Sequence, residues 1–139
     1  MNSLTKIMKL GIIALDKYNS GGVHMYVSEK IDNMIMEFYR QIKSVLNDEL
    51  CEMIIFGSYA RADFDDESDI DIAVLANVSH DDESRYNSEI VRIVENIYDI
   101  YGYSIVLSPI VISNDFYNTW KDHLPFYKNV ETEGIRVVA

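Results

Sequence analysis

Ile31, Met34, Ile35, Phe38, Ile42 and Val45 recur at intervals of three and four, the period that puts side chains on one face of a helix. Ser28 stands where it can cap that helix, and Asn47 and Asp48 interrupt the pattern at its far end. From Met53 to Phe56 the chain turns continuously apolar and then meets Gly57, which predicts a strand followed by a turn. After a polar, acidic stretch, Asp69 to Leu75 (DIDIAVL) predicts a second strand. Ser79 is placed to cap a helix whose buried stripe is Ile90, Ile93, Val94 and Ile97, ended by Gly102. Tyr103 to Ile112 predicts a third strand, in which Pro109 requires an edge position or a bulge because it has no N–H to give to a ladder. Ser113 can cap a helix carrying Phe116 and Trp120, and Pro125 can open a last short helix closed by Gly134. Upstream, Asn19, Ser20, Gly21 and Gly22 separate a short N-terminal helix, within residues 1–22, from a core spanning 23–139. The expected order is helix, helix, strand, loop, strand, helix, strand, helix, helix: a mixed α/β domain with a small sheet and helices packed against it.

Composition narrows the function classes. The chain has 139 residues, 48% of them hydrophobic, enough for one core without staples. With only two prolines and six glycines, it offers no linker that would divide it, so we expect a single domain over 1–139. Twelve Lys and Arg against 23 Asp and Glu give a net charge of −11, which repels a phosphate backbone and argues against nucleic-acid binding. Cys51 is the only cysteine, so neither an internal disulfide nor a cysteine zinc cluster can form. No apolar run approaches the ~18 residues of a membrane span. A cytoplasmic protein with no membrane association is the expectation.

Chemistry concentrates between Phe56 and Leu75, FGSYARADFDDESDIDIAVL. In a strand Asp69 and Asp71 share one side, about 6–7 Å apart along the chain. Ile70 and Ile72 take the other side and anchor it in the core. Carboxylates that close repel by roughly 2–3 kcal/mol at an effective dielectric near 20. Mg²⁺ is the economical compensation, because it takes oxygen ligands and is commonly shared between one or two carboxylates and substrate phosphates. Gly57 lets backbone approach a phosphate, the Ser58 hydroxyl adds a donor, and Arg61 can balance phosphate charge. Taken singly, Gly-Ser is usually a plain turn and Asp-x-Asp a solvated strand start; together, ten residues apart, they form a much rarer arrangement.

That arrangement, G-S-x10-D-x-D, resembles the nucleotidyltransferase superfamily related to DNA polymerase beta, on Gly57, Ser58, Asp69 and Asp71 within FGSYAR and SDIDIAVL. Within it the chain looks like the minimal nucleotidyltransferases that pair with HEPN-domain toxins, with the long helix and LPFYKNVETEGIRV adding less specific similarity. The resemblance implies a polymerase-beta palm-like sheet, Mg²⁺ held by catalytic Asp69 and Asp71, and a nucleoside triphosphate, ATP, gripped by Gly57, Ser58, Arg61 and Ser68. It further implies transfer of AMP to a tyrosine of a HEPN toxin partner, an antitoxin role; a homo-oligomer stays open. The sequence departs from the family at the third carboxylate, where the expected position is Val106. Asp99 and Asp115 lie off that position, so a base is missing, supplied by the partner, or unnecessary. This motivates the rival reading of an inactive module that neutralises its partner by binding alone. A free-standing small-molecule transferase is a third option.

Other features carry less. Asp63, Asp65, Asp66 and Glu67 form an acidic run best read as a solvated loop. His24, His80 and His123 lack metal-ligand spacing, and Ser58 lacks the signature of a hydrolase triad. The aromatics Phe116, Tyr117, Trp120, Phe126 and Tyr127 are expected to pack helices rather than to form a partner surface.

Overall fold

The apolar stripe of the first long helix sets the architecture. In the structure, a computed structural model describing residues 6–9, 22–61 and 69–138, α1 runs from Gly22 to Leu46. It therefore starts before Ser28, which lies inside the helix and does not mark its start. Ile31, Met34, Ile35, Phe38 and Ile42 are all but fully buried. Asn47 ends α1 with a backbone φ of 51°, in the left-handed region that asparagine tolerates better than most residues.

Five strands form one mixed sheet: β1 (Lys6–Lys9), β2 (Leu50–Phe56), β3 (Ile70–Ala76), β4 (Leu107–Ser113) and β5 (Ile135–Val138), in the spatial order β1-β5-β2-β3-β4. Pairing is antiparallel for β2 with β3 and with β5, and parallel for β3 with β4 and for β1 with β5. The helices are α2 (Gly57–Arg61), α3 (Asn87–Tyr101), α4 (Asn114–Trp120) and α5 (Pro125–Glu133).

Alternation along β3 divides the core in two. Ile70, Ile72, Val74 and Ala76 pack with α1 and α3 in the larger cluster. Ala73 and Leu75 turn the other way and meet Tyr117 of α4 and Val130 of α5. The second face is tied at its rim: Arg136 reaches Glu52 (3.2 Å) and Glu131 (2.9 Å), while the Tyr117 hydroxyl donates to Glu131 (2.9 Å).

Several expectations change. Residues 6–9 are a strand rather than part of an N-terminal helix, and the remainder of 1–21 lies outside the described residues. β5 follows Gly134, where the sequence reading placed no strand; its Ile135 and Val137 enter the larger core while Arg136 points away. Ser79 makes no side-chain cap; it precedes a 3-10 helix, His80–Tyr86, and α3 begins only at Asn87. β4 starts at Leu107, four residues later than the apolar composition suggests. Ser113 does cap α4, its hydroxyl accepting from the Phe116 N–H at 3.3 Å, and Pro125 opens α5. The C-terminal aromatics divide, with Tyr117 buried and Trp120 and Phe126 exposed by 42% and 45%.

β4 is an edge strand, as Pro109 requires. The Ile70 N–H donates to the Val106 carbonyl at 2.8 Å, so in this parallel ladder Ser108, Ile110 and Ile112 bond inward and the odd-numbered residues face out. Of those outward N–H groups, Leu107's goes to the Tyr98 hydroxyl (3.0 Å) and Ser113's to Glu83 (2.8 Å), and Pro109 has none. The edge is thereby blunted against pairing with another strand.

Ile72, next to Asp71 on β3 and pointing to the opposite face, is fully buried. Ile72→Ala should cost about 2–5 kcal/mol in urea unfolding. A loss under 1 kcal/mol would show that this face is not the anchor.

Candidate active site

Strand register assembles the site. Phe56, the last residue of β2, pairs with Asp71, and Gly57 turns the chain immediately beyond it with φ of 74°. A Cβ at Gly57 would overlap the Asp71 carboxylate, so the turn and the second aspartate are in direct contact. Glycine is required twice, by the left-handed backbone and by the carboxylate occupying the side-chain volume. Ser58 follows, half-buried at the start of α2.

Asp69 is exposed just before β3, and Asp71 is half-buried within it. Burial is the largest influence holding the Asp71 carboxyl above the usual aspartate range, and the Asp69 charge pushes it the same way. Arg61 opposes them, which puts all three groups within electrostatic reach. Arg61 also pairs with Glu133 of α5 at 3.1 Å; an exposed pair of that kind is worth ~0–1 kcal/mol. Gly57, Ser58, Arg61, Asp69 and Asp71 are thus brought together at one end of the central strands, while Ser68 and the acidic run lie outside the described residues.

Asp71 lies on the face of the sheet that carries α4 and α5, as alternation with buried Ile70 and Ile72 demands. On β4 its register partner is Ser108, an exposed hydroxyl that the sequence reading did not single out. Two residues back, one step beyond the first register pair Ile70 and Leu107, Val106 lies level with Asp69 with 44% of its surface exposed, so no carboxylate occupies that place. Asp115 sits beyond the opposite end of β4, about 20 Å of strand away, and Asp99 is exposed on α3. Among the described residues no three His, Cys, Asp or Glu side chains cluster to hold a metal. Asp71, held above the usual aspartate range by burial and by the neighbouring Asp69 charge, nevertheless fits with Asp69 a shared Mg²⁺, which accepts one or two carboxylates and takes its other ligands from water and phosphate.

Comparison with known proteins is decisive at this point. The family described as polymerase beta nucleotidyltransferase matches residues 29–138. The chain belongs to that family. It is 34% identical over 98 residues to a Methanocaldococcus jannaschii protein named "putative protein adenylyltransferase", covering 70% of this chain and 95% of that one. A second protein of the same name and organism is 33% identical over 103 residues, covering 74% and 93%. A third is 34% identical over 83 residues, covering 59% of this chain and 54% of its own length. No solved structure gives a significant match. The nucleotidyltransferase match spans every described element from the body of α1 to β5, and no described helix is long and apolar enough to cross a membrane.

Two outcomes test the geometry of this candidate site. Gly57→Ala should lower stability by about 1–2 kcal/mol from the left-handed backbone alone, with a further loss from the displaced carboxylate. In an Asp71→Ala background the further loss should vanish, and equal losses in both backgrounds would refute the contact. Because folding raises the proton affinity of Asp71, its contribution is most favourable below the ordinary aspartate range and declines as pH rises through the folded value. With divalent cations chelated, Asp71→Asn should therefore melt above wild type at pH 7, and the difference should close as pH falls into the carboxylate range. A variant that melts lower at pH 7 would contradict this.

Proposed function

We propose that the chain is a Mg²⁺-dependent protein adenylyltransferase that moves AMP from ATP to a hydroxyl of another protein. The carrying observation is the Asp71 carboxylate seated against the Gly57 turn with the Asp69 charge beside it. Asp69 and Asp71 hold the cation, and the turn at Gly57 and Ser58 receives the triphosphate, with Arg61 and Ser68 as further phosphate partners. Mg²⁺, when bound, offsets the negative charge of the triphosphate and of the departing pyrophosphate. The acceptor oxygen bonds to the α-phosphorus, the bond to pyrophosphate breaks, and the acceptor proton leaves to a base other than these two aspartates. Catalysis of this kind rests on alignment and charge neutralisation. The names of the M. jannaschii relatives support a protein acceptor. Likeness to the minimal nucleotidyltransferases supports a tyrosine of a HEPN-domain toxin and an antitoxin role.

The second reading, an inactive module acting by binding, is favoured by one observation: Val106 in place of a third carboxylate. Incubation with Mg²⁺, labelled ATP and a HEPN partner should label the partner. Asp69→Asn or Asp71→Asn should cut labelling by at least ~100-fold, the scale lost with a central electrostatic group. Labelling that persists in both variants refutes the proposed roles. Neutralisation of the toxin by both unlabelling variants would favour the binding module.

A further inference from the structure

α2 is a helix of five residues, Gly57 to Arg61, too short to hold its own shape. Its place depends on what it buries, and those residues are Tyr59 and Ala60. Tyr59 enters the larger core with Ile31, Met34 and Ile35 of α1. There its hydroxyl donates to Asp32 Oδ1 at 3.0 Å, a bond that joins residues 27 apart in the chain. Tyr59 is 1% exposed and Asp32 4%.

A carboxylate beside the α1 core stripe is costly to desolvate, and a leucine there would cost nothing of the kind. What a carboxylate adds and leucine cannot is direction. A buried hydrogen bond fixes both the depth and the rotation of the Tyr59 side chain, and Tyr59 follows Ser58 directly. Gly57 in turn is pressed on the Asp71 carboxylate, so a small rotation of α2 would shift the turn against the aspartate pair. On its other side α2 is tied to α5 by the exposed Arg61–Glu133 pair, which constrains it less.

We infer that Asp32 and Tyr59 form a positioning pair that holds the Gly57–Ser58 turn in the geometry a nucleotide triphosphate needs; this rests on the nucleotidyltransferase reading above. Neither residue touches nucleotide. The pair acts through the backbone of α2, so its loss weakens nucleotide binding while the fold survives.

The test is calorimetric titration of the 139-residue chain with ATP and Mg²⁺, alongside thermal melting. The double variant Tyr59→Phe with Asp32→Leu removes the hydroxyl and the carboxylate that form this bond, and replacing both groups of one buried bond by apolar ones is often near neutral for stability. It should melt near wild type yet bind ATP about tenfold more weakly, the scale expected when a site is displaced by a fraction of an ångström. Asp32→Asn keeps an acceptor for the Tyr59 hydroxyl and should stay within about twofold of wild type. Tyr59→Phe, which removes one oxygen, serves the same comparison if the double variant melts early. Wild-type affinity in a folded double variant or in Tyr59→Phe would overturn the pair's role alone. A wild-type chain that takes up no ATP would overturn the nucleotide reading and this inference together.

Discussion

The antiparallel pairing of β2 with β3 is the constraint on which the site depends. It sets Phe56 opposite Asp71, and the chain must then turn away from a carboxylate already occupying the space where a side chain would go. Only a residue without a Cβ fits, in a backbone conformation that favours the same residue. A slip of one residue in this register would swing Asp71 into the α1 core and Ile72 out of it, so burying Ile70 and Ile72 also aims the aspartate.

That coupling explains how much could be read from the sequence. The convergence of Gly57, Ser58, Asp69 and Asp71 was legible because close backbone approach and paired charges each demand particular residue types, at a spacing that the strand-turn-strand geometry fixes. The α1 stripe, the Ser113 cap and the edge position of Pro109 were legible for similar local reasons. β5 was not, because four residues after a glycine carry too little periodicity to be told from a tail. Only the antiparallel fit to β2 and the parallel fit to β1 make them a strand. Ser108 was missed because its closeness to Asp71 comes from pairing across a crossover of some thirty residues. Asp32 was missed because an acid on a helix looks solvated until a tyrosine from another element is seen to reach it.

The electrostatics run against stability and in favour of chemistry. Burial and the Asp69 charge both penalise ionised Asp71, and Arg61 offsets them only in part while also engaging Glu133. A protein selecting for stability alone would place an uncharged residue at the end of β3. On the proposed reading, the penalty is relieved when a cation and a triphosphate arrive together, which makes the strained carboxylate a binding device. Val106 and Ser108 leave the β4 side of the pair without a carboxylate, so on the proposed reading deprotonation of the acceptor falls to another group.

The proposed sharing of a cation is tested directly by crystallising the protein with a non-hydrolysable ATP analogue and Mn²⁺ in place of Mg²⁺, and locating the metal by its anomalous signal. The predicted result is a peak within coordination distance of both Asp69 and Asp71 and of the triphosphate, with the phosphates lying on the Gly57–Ser58 turn. A triphosphate bound elsewhere, or a metal that contacts neither aspartate, would contradict the assignment of this site.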